Sequence, residues 1–171
     1  MPLLSLRIAP DPCLSTPSRP VDKVDQDIRK LLDDMLETMY ENNGCGLAAN
    51  QVGILKRLVV IDISDNPASP KPIKLVNPEI LWVSEEETSI SEGCLSVPDQ
   101  YAEVSRPAEA HIRYLDENGC SQEIKGDGLL AACIQHEIDH LNGTLFIDHL
   151  SALKRSLILR KMQKQLKYRA L

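Results

Sequence analysis

The segment Gln135-His136-Glu137-Ile138-Asp139-His140 decides how the rest of the chain must be arranged. Residues i and i+4 of an α-helix lie on one face, one turn apart, so His136 and His140 can bind the same metal ion. Glu137 follows the first histidine and is placed to handle protons beside that ion. The H-E-x-x-H pattern also occurs by chance, and a pair of hydrogen-bonded core histidines is the alternative interpretation.

The residues on both sides of this segment predict a buried helix. Asp127 is expected to cap its N-terminus, and Asn142-Gly143 is expected to end it. Apolar side chains run from Leu129 to Ile134. Such a helix carries its polar groups into the interior, where they need partners, and a metal ion is one such partner.

The composition is that of an ordinary globular protein, with 43% hydrophobic and 26% charged residues in 171. We expect a single domain over residues 1–171. The net charge of −6 argues against a general nucleic-acid binder, so no DNA partner is expected. Five scattered cysteines, no signal-peptide pattern and no apolar run of membrane-spanning length predict a cytoplasmic protein with no membrane partner.

The remaining patterns predict an α+β fold: mixed, mainly antiparallel strands packed around a central metal-binding helix, with N- and C-terminal helices. The N-terminal helix is expected from a cap at Asp22 to about Asn42, because apolar residues recur there at helical spacing. Residues 1–21 are proline-rich and predicted to be irregular. Strands are expected at 57–63, 73–76, 80–83, 102–105, 110–115 and 120–125.

The C-terminal helix is predicted over residues 151–171 and is strongly basic. Seven lysines and arginines lie between residues 154 and 169, and no acidic residue follows Asp148. A charge run is usually a solvated face. One-sided charge on an acidic protein also suits an acidic partner such as ribosomal RNA.

The two histidines leave open the identity of a third ligand. A catalytic metal usually has three protein ligands and a position open to water. Some metalloproteases take a glutamate from a later helix, but no glutamate follows His140. Others place a histidine six residues after the second one, and that position here is Phe146. Neither of the third ligands that are common in metalloproteases is therefore present at the expected position.

A cysteine is the best remaining ligand. Cys133 lies seven residues before His140, about 10 Å along a helix axis, too far for convergence on one ion. Cys94 is favoured because it lies in the short segment Glu92–Pro98, and its thiolate would give a Cys-His-His site. Cys45, between two glycines, is a weaker alternative. The others are Cys13, in the proline-rich segment, and Cys120, beside a hairpin turn.

Three segments of this chain resemble the three motifs of the peptide deformylases, in the family's order. They are Gly44-Cys45-Gly46-Leu47-Ala48-Ala49-Asn50-Gln51, Glu92-Gly93-Cys94-Leu95-Ser96 and Gln135-His136-Glu137-Ile138-Asp139-His140. The resemblance covers nearly the whole chain. It implies a hydrolase that removes the formyl group from the N-terminal formylmethionine of new polypeptides and releases formate.

The resemblance also implies a role for each motif residue. The metal ligands would be Cys94, His136 and His140. The Glu137 carboxylate would carry the proton during hydrolysis. The Gln51 side chain and the Leu95 backbone N–H would donate hydrogen bonds to the formyl oxygen, which gains negative charge in the reaction. Substrate would be bound by Cys45, Gly46, Glu92, Gly93, Leu129 and Cys133. Cys45 departs from the bulkier aliphatic residue common in the family, and Ala132 stands where some members carry a larger side chain; both change the pocket's shape.

The expected cofactor is one divalent metal ion per chain. The family implies Fe(II) as the native metal, with zinc, nickel or cobalt in a purified sample; affinity alone would allow zinc. The expected partners are the formylmethionyl nascent peptide and, through the basic helix, the ribosome. The chain is expected to be a monomer.

Two rival functions use parts of the same pattern. An endopeptidase needs the H-E-x-x-H unit but neither Gln51 nor the Cys94 segment. A ribosome-associated binding module would keep the metal for stability alone, and Glu137 argues against it because a structural site needs no general base.

Overall fold

The computed structural model describes residues 3–169, with the side chains of residues 3–168. These residues form three α-helices, seven strands and three short 3-10 turns. The helices are α1 (Gln26–Glu41), α2 (Gly128–Leu141) and α3 (Ala152–Arg169). The strands are β1 (Gly46–Ala48), β2 (Leu58–Ile61), β3 (Ile73–Val83), β4 (Glu87–Cys94), β5 (Val97–Pro107), β6 (Glu109–Leu115) and β7 (Ser121–Asp127). The 3-10 turns are Pro12–Ser15, Ala49–Val52 and Phe146–His149.

The strands form two antiparallel units. Five of them make a sheet in the order β1-β2-β3-β6-β7, and β4 pairs with β5 as a separate hairpin. The predicted α+β class with mainly antiparallel strands is confirmed. The predicted C-terminal helix is present, although residues 170–171 lie outside the described part of the chain.

Strand β2 is buried on both faces of the sheet because α1 and α2 pack on opposite sides of it. Leu58 and Val60 of β2 belong to the core cluster with α1, and Val59 and Ile61 belong to the cluster with α2. Successive strand residues point to opposite faces, so a strand covered on both sides must be apolar throughout. The resulting core places α2 at the centre of the molecule.

The strand predicted at 102–105 is only the middle of the longer β5, and strands β1 and β4 were not predicted. Two further predictions were wrong for local reasons. The cap of α1 is Asp25, whose carboxylate accepts a hydrogen bond from the Ile28 N–H, and not Asp22. The two strands predicted around Asn77-Pro78 form the single strand β3. Asn77 adopts a positive φ of 51° at a register shift and makes two side-chain hydrogen bonds with the Val21 backbone, so the strand continues past the proline.

Helix α2 follows its prediction closely. Asp127 precedes its first residue, although its side chain makes no capping hydrogen bond, and Asn142 ends the helix before Gly143, which has a φ of 81°. Residues 131–138 are all buried. Since α2 contacts β1, β2, β5, β6 and β7, its polar side chains lie in the interior between the sheet and the β4–β5 hairpin.

Candidate metal centre

Helix α2 and strand β4 bring three metal-ligating side chains together. The Nε2 atoms of His136 and His140 are 3.1 Å apart. Cys94 is the last residue of β4, and its Sγ lies 3.3 Å from His140 Nε2. The three ligand atoms all lie within 4.8 Å of one another. The predicted Cys94, His136 and His140 are therefore one cluster in space.

These spacings fit the geometry of a bound divalent ion. Tetrahedral bonds of about 2.0–2.1 Å to imidazole nitrogen and about 2.3 Å to thiolate place the nitrogens about 3.3 Å apart, and sulfur about 3.6 Å from nitrogen. Burial lowers the pKa of His140 well below its usual range, which favours a neutral imidazole there, whereas hydrogen bonds with Cys94 and Glu92 outweigh burial and raise the pKa of His136. The donor set of two imidazoles and one thiolate suits a transition metal.

The imidazole of His136 is held in place by a buried ionic network. Its Nδ1 lies 2.8 Å from Glu92 Oε1. Arg106 of β5 donates to both Glu92 oxygens, at 2.6 and 3.0 Å, and a third N–H donates to Asp139 at 2.8 Å. Burial acts to raise the pKa of Glu92, but the hydrogen bonds with His136 and Arg106 lower it overall. Glu92 stays ionised and fixes the ring so that Nε2 faces the cluster.

Glu137 lies beside the cluster in an unusual state for a carboxylate. It is 3% exposed, and its Oε1 has no hydrogen-bond partner within the described chain. Burial raises its pKa to about 7. A carboxylate with this pKa exchanges protons readily at neutral pH, which is what a general base and acid must do.

Gln51 presents its amide N–H group to the cluster. Its Oε1 accepts a hydrogen bond of 2.9 Å from the Ala48 N–H, which fixes the orientation of the amide. The Nε2 group then lies 3.4 Å from Cys94 Sγ and 3.2 Å from Ser96 Oγ. The turn Leu95-Ser96 joins β4 to β5, so the Leu95 backbone follows directly on the thiol-bearing residue.

A cavity of about 730 Å³ opens over the cluster. Its lining includes Glu92 and Glu137, which lie beside the histidines, and the residues that were predicted to bind substrate. Those lining residues are Cys45, Gly46, Gln51, Glu92, Gly93, Cys94, Leu95, Leu129, Cys133, His136 and Glu137. His140 is fully buried behind them. The structure therefore brings all of the predicted site residues to one place.

Known proteins with the same sequence pattern share this fold. A family model described as polypeptide deformylase matches residues 3–156. The chain is a member of the peptide deformylase family. Membership confirms the predicted enzyme class: a metal-dependent hydrolase that removes the formyl group from the N-terminal formylmethionine of newly made polypeptides.

The similarity to other peptide deformylases extends over almost the full length. The enzyme of Bartonella quintana is 53% identical over 167 residues, which cover 98% of this chain and 95% of that protein. The crystal structure of the Legionella pneumophila peptide deformylase has a TM-score of 0.92 and 44% identity, covering 99% of this chain and 98% of that one. The Ehrlichia chaffeensis peptide deformylase in complex with actinonin has a TM-score of 0.91 and 47% identity, covering 96% and 98%.

Several residues that line the cavity were not predicted from the sequence, among them Tyr101 and Leu166. Tyr101 of β5 pairs with Gly93 across the hairpin, and a Cβ at Gly93 would lie 2.5 Å from its ring. Leu166 of α3 lines the same cavity. A glycine opposite an aromatic residue in a predicted hairpin could have indicated Tyr101. Leu166 depends on how α3 docks, for which the sequence carries no local signal.

Among residues 3–169, no helix combines the length and the apolar character needed to cross a membrane.

Proposed function

We propose that Glu137, Gln51 and the Leu95 amide carry out the hydrolysis of the formamide at the Cys94-His136-His140 cluster. The observation that carries this proposal is the buried carboxylate of Glu137, with a pKa of about 7, in the cavity that opens over the three converging side chains of Cys94, His136 and His140. A structural metal site has no use for such a group, because it closes its coordination with protein ligands.

The proton of the attacking water passes through Glu137. As water adds to the formyl carbon, the Glu137 carboxylate accepts one of its protons. It then gives that proton to the amine nitrogen as the C–N bond breaks, which leaves formate and a free N-terminus. Gln51 Nε2–H and the Leu95 N–H donate to the formyl oxygen, whose charge grows in the transition state.

A bound divalent ion supplies Lewis acidity, which lowers the pKa of a water molecule and polarises the formyl carbonyl. We propose Fe(II) as the native metal, following the family resemblance, with zinc, nickel or cobalt in purified samples. Metal analysis of protein purified without oxygen tests this. Iron at about one equivalent per chain supports the assignment, and zinc alone at that level contradicts it.

The substrate peptide is proposed to bind as an added strand. Gly46 begins β1, an edge strand of the five-stranded sheet, and Gly93 lies near the end of β4, an edge of the hairpin. Both line the cavity, so both edges offer backbone groups to an extended peptide. The methionine side chain would occupy the part of the cavity lined by Leu129, Cys133 and Cys45.

The substitution Glu137→Gln separates chemistry from metal binding. The amide keeps the shape of the side chain but cannot accept the proton from water. We expect the metal content to remain near one equivalent and formate release to fall by at least about 10²-fold. Substitution His140→Ala is the matched control, because it should remove the metal as well as the activity.

The outcomes also separate the rival functions. Unchanged formate release in Glu137→Gln would exclude the proposed base. A folded, metal-loaded wild-type protein that releases no formate would favour the binding module, and cleavage of internal peptide bonds would favour the endopeptidase.

We also propose that α3 docks on the ribosome. Lys161, Lys164 and Lys167 are exposed on a helix that carries no acidic residue. The helix is anchored by Met162, which is buried with Phe146 and Val104. A cationic face held on a rigid anchor suits phosphate groups of RNA, whose binding weakens with salt.

Charge reversal tests this docking in the full-length protein. Replacing Lys161, Lys164 and Lys167 by Glu should abolish co-sedimentation with ribosomes at low salt and leave formate release from a short peptide intact. The control reverses three exposed lysines outside α3, namely Lys23, Lys56 and Lys71, and changes the net charge equally. Equal loss in both variants would contradict docking through α3.

We propose further that the enzyme is cytoplasmic, since its substrate is made on ribosomes in the cytoplasm. We also propose that it is a monomer. Sedimentation equilibrium should give a mass near the 19.1 kDa of one chain. A stable mass of twice that value would contradict the monomer.

A further inference from the structure

Two cysteines face each other in the wall of the cavity. The Sγ atoms of Cys45 and Cys133 are 3.9 Å apart, and the Cys133 thiol also lies 3.8 Å from the Cys45 carbonyl oxygen. Cys45 precedes β1, and Cys133 lies in the second turn of α2. We infer that these two thiols form a reversible disulfide that narrows the substrate cavity and turns the enzyme off.

The backbone next to Cys45 lies close to the Cys133 thiol. A Cβ at Gly46 would lie only 3.0 Å from Cys133 Sγ, so the chain next to Cys45 already lies against α2. The sulfur atoms must approach by about 1.9 Å to reach a disulfide length of about 2.05 Å. Rotation of the two side chains supplies much of that movement, since Cys45 is exposed and lines an open cavity.

The two thiols differ in a way that gives each a separate part in the reaction. Cys133 is 6% exposed, whereas Cys45 is open to solvent. The hydrogen bond with the Cys133 thiol outweighs burial and lowers the pKa of Cys45. Cys45 is thus the thiolate that meets an oxidant from solvent, and Cys133 is the neighbour that resolves the product.

With hydrogen peroxide as the oxidant, the chemistry balances in two steps. The Cys45 thiolate attacks a peroxide oxygen, the O–O bond breaks, and Cys45 sulfenic acid and hydroxide form. The Cys133 sulfur then attacks the sulfenic sulfur, the S–O bond breaks, and the disulfide and water form, with the thiol proton passing to the leaving oxygen. A dithiol reductant reduces the Cys45–Cys133 disulfide to two thiols.

The other cysteines have different surroundings. Cys94 belongs to the metal cluster, and the Cys13 thiol donates to the Asn50 carbonyl oxygen at 3.3 Å. Cys120 is exposed beyond the hairpin turn of β6 and β7. The effect on turnover rests on the proposed function, because Cys45 and Cys133 are placed beside the methionine side chain. The bond itself does not depend on that assignment.

The test uses full-length protein loaded with zinc, which peroxide does not oxidise. After treatment with hydrogen peroxide, free thiols are alkylated and peptides are mapped by mass spectrometry. We expect a peptide cross-linked through Cys45 and Cys133 that is lighter by two hydrogen atoms. Formate release should fall at least about tenfold, and a dithiol should restore it.

Cys45→Ala and Cys133→Ala serve as the test variants, each compared with its own untreated activity. Both should resist the reversible loss, whereas Cys120→Ala, a matched cysteine outside the cavity, should lose activity as wild type does. Equal loss in Cys45→Ala would assign the effect to Cys94 and overturn the inference. Absence of the cross-linked peptide from folded wild type would overturn it even if a variant failed to fold. If the proposed function is wrong, the untreated protein will release no formate, whatever the result of oxidation.

Discussion

Gly46 leaves no room for a side chain beside the carboxylate of Glu137. A Cβ at this position would lie 2.6 Å from Glu137 Oε2. We predict that Gly46→Ala displaces the carboxylate and lowers kcat/KM for formate release by roughly 10- to 100-fold, because a small misplacement of a catalytic group is costly. Steady-state formate release measures the effect, with metal content as the check that the ligands remain intact.

Gly126 supplies the matched glycine control for this substitution. A Cβ there would meet the end of the Leu130 side chain at 3.1 Å, which lies outside the cluster and can shift. Gly126→Ala is expected to keep nearly full activity. Full activity in Gly46→Ala would contradict the position assigned to Glu137.

Arg106 joins three elements through one buried guanidinium. It lies on β5 and pairs with Glu92 on β4 and Asp139 on α2. We predict that Arg106→Leu destabilises the protein by about 3–5 kcal/mol, because it leaves Glu92 buried without its main cationic partner. Denaturant unfolding of the metal-loaded protein measures the change in the free energy of unfolding.

Arg155 is the control for a pair that is open to solvent. It lies 2.7 Å from Asp148, with side chains 45% and 32% exposed. Arg155→Leu should cost less than about 1 kcal/mol, since water screens such a pair. Equal losses in the two variants would mean that the Glu92–Arg106 pair is not the link between β4, β5 and α2.

The carboxylate of Asp62 stabilises the end of β2 in a pH-dependent way. Burial acts to raise its pKa, but hydrogen bonds from Ser64 and Tyr40 outweigh it and lower the pKa overall. Because the folded pKa lies below the unfolded one, this stabilisation is complete above the unfolded pKa and is lost as pH falls through the folded value. We predict that Asp62→Asn is less stable than wild type at pH 7, and that the difference shrinks below about pH 4.

Urea unfolding of both proteins at several pH values measures this difference. A gap between wild type and Asp62→Asn that stays constant down to pH 3 would contradict the assigned hydrogen bonds.

The element boundaries that could be predicted are those with a local signal. Helix α2 was predictable because an apolar run lies between Asp127 and Asn142-Gly143. The continuity of β3 was not, since Pro78 normally interrupts a strand. That continuity depends on Asn77 bonding to the backbone of Val21, a contact between distant parts of the chain.

The same distinction applies to the site. Short motifs predicted that Cys94, His136 and His140 lie together and that Glu137 is beside them. Tyr101 and Leu166 reach the cavity through hairpin register and helix docking, which a residue pattern does not encode. The contact between Cys45 and Cys133 also joins two separate elements of the fold, and the sequence predicted each cysteine only as a substrate-binding residue.

The metal cluster joins the hairpin to the central helix, so metal removal should affect the whole molecule. Cys94 comes from β4, and His136 and His140 come from α2. We predict that chelation lowers the Tm by roughly 5–10 °C, because a ligand at 100 times its Kd adds about 2.7 kcal/mol. Differential scanning calorimetry with and without chelator measures it. An unchanged Tm after verified metal loss would contradict a cluster that holds the two elements together.

We propose that residues 1–171 fold as one domain. The β4–β5 hairpin contacts α2, α3 and the turn Phe146–His149. The core clusters on the two faces of the sheet share strands β1, β2 and β3. Calorimetry of the holoenzyme should therefore show one transition, with equal calorimetric and van't Hoff enthalpies. Two separate transitions would contradict a single folding unit.

Formate release by the Fe(II)-loaded enzyme is the measurement to make first, because it tests the assigned reaction itself. The substrate is a formyl-Met-Ala peptide, and the enzyme is reconstituted and assayed without oxygen. We expect rapid formate release with the Met–Ala bond intact. Cleavage of the Met–Ala bond would exclude the deformylase reaction, and so would the absence of formate from folded protein that carries one metal ion per chain.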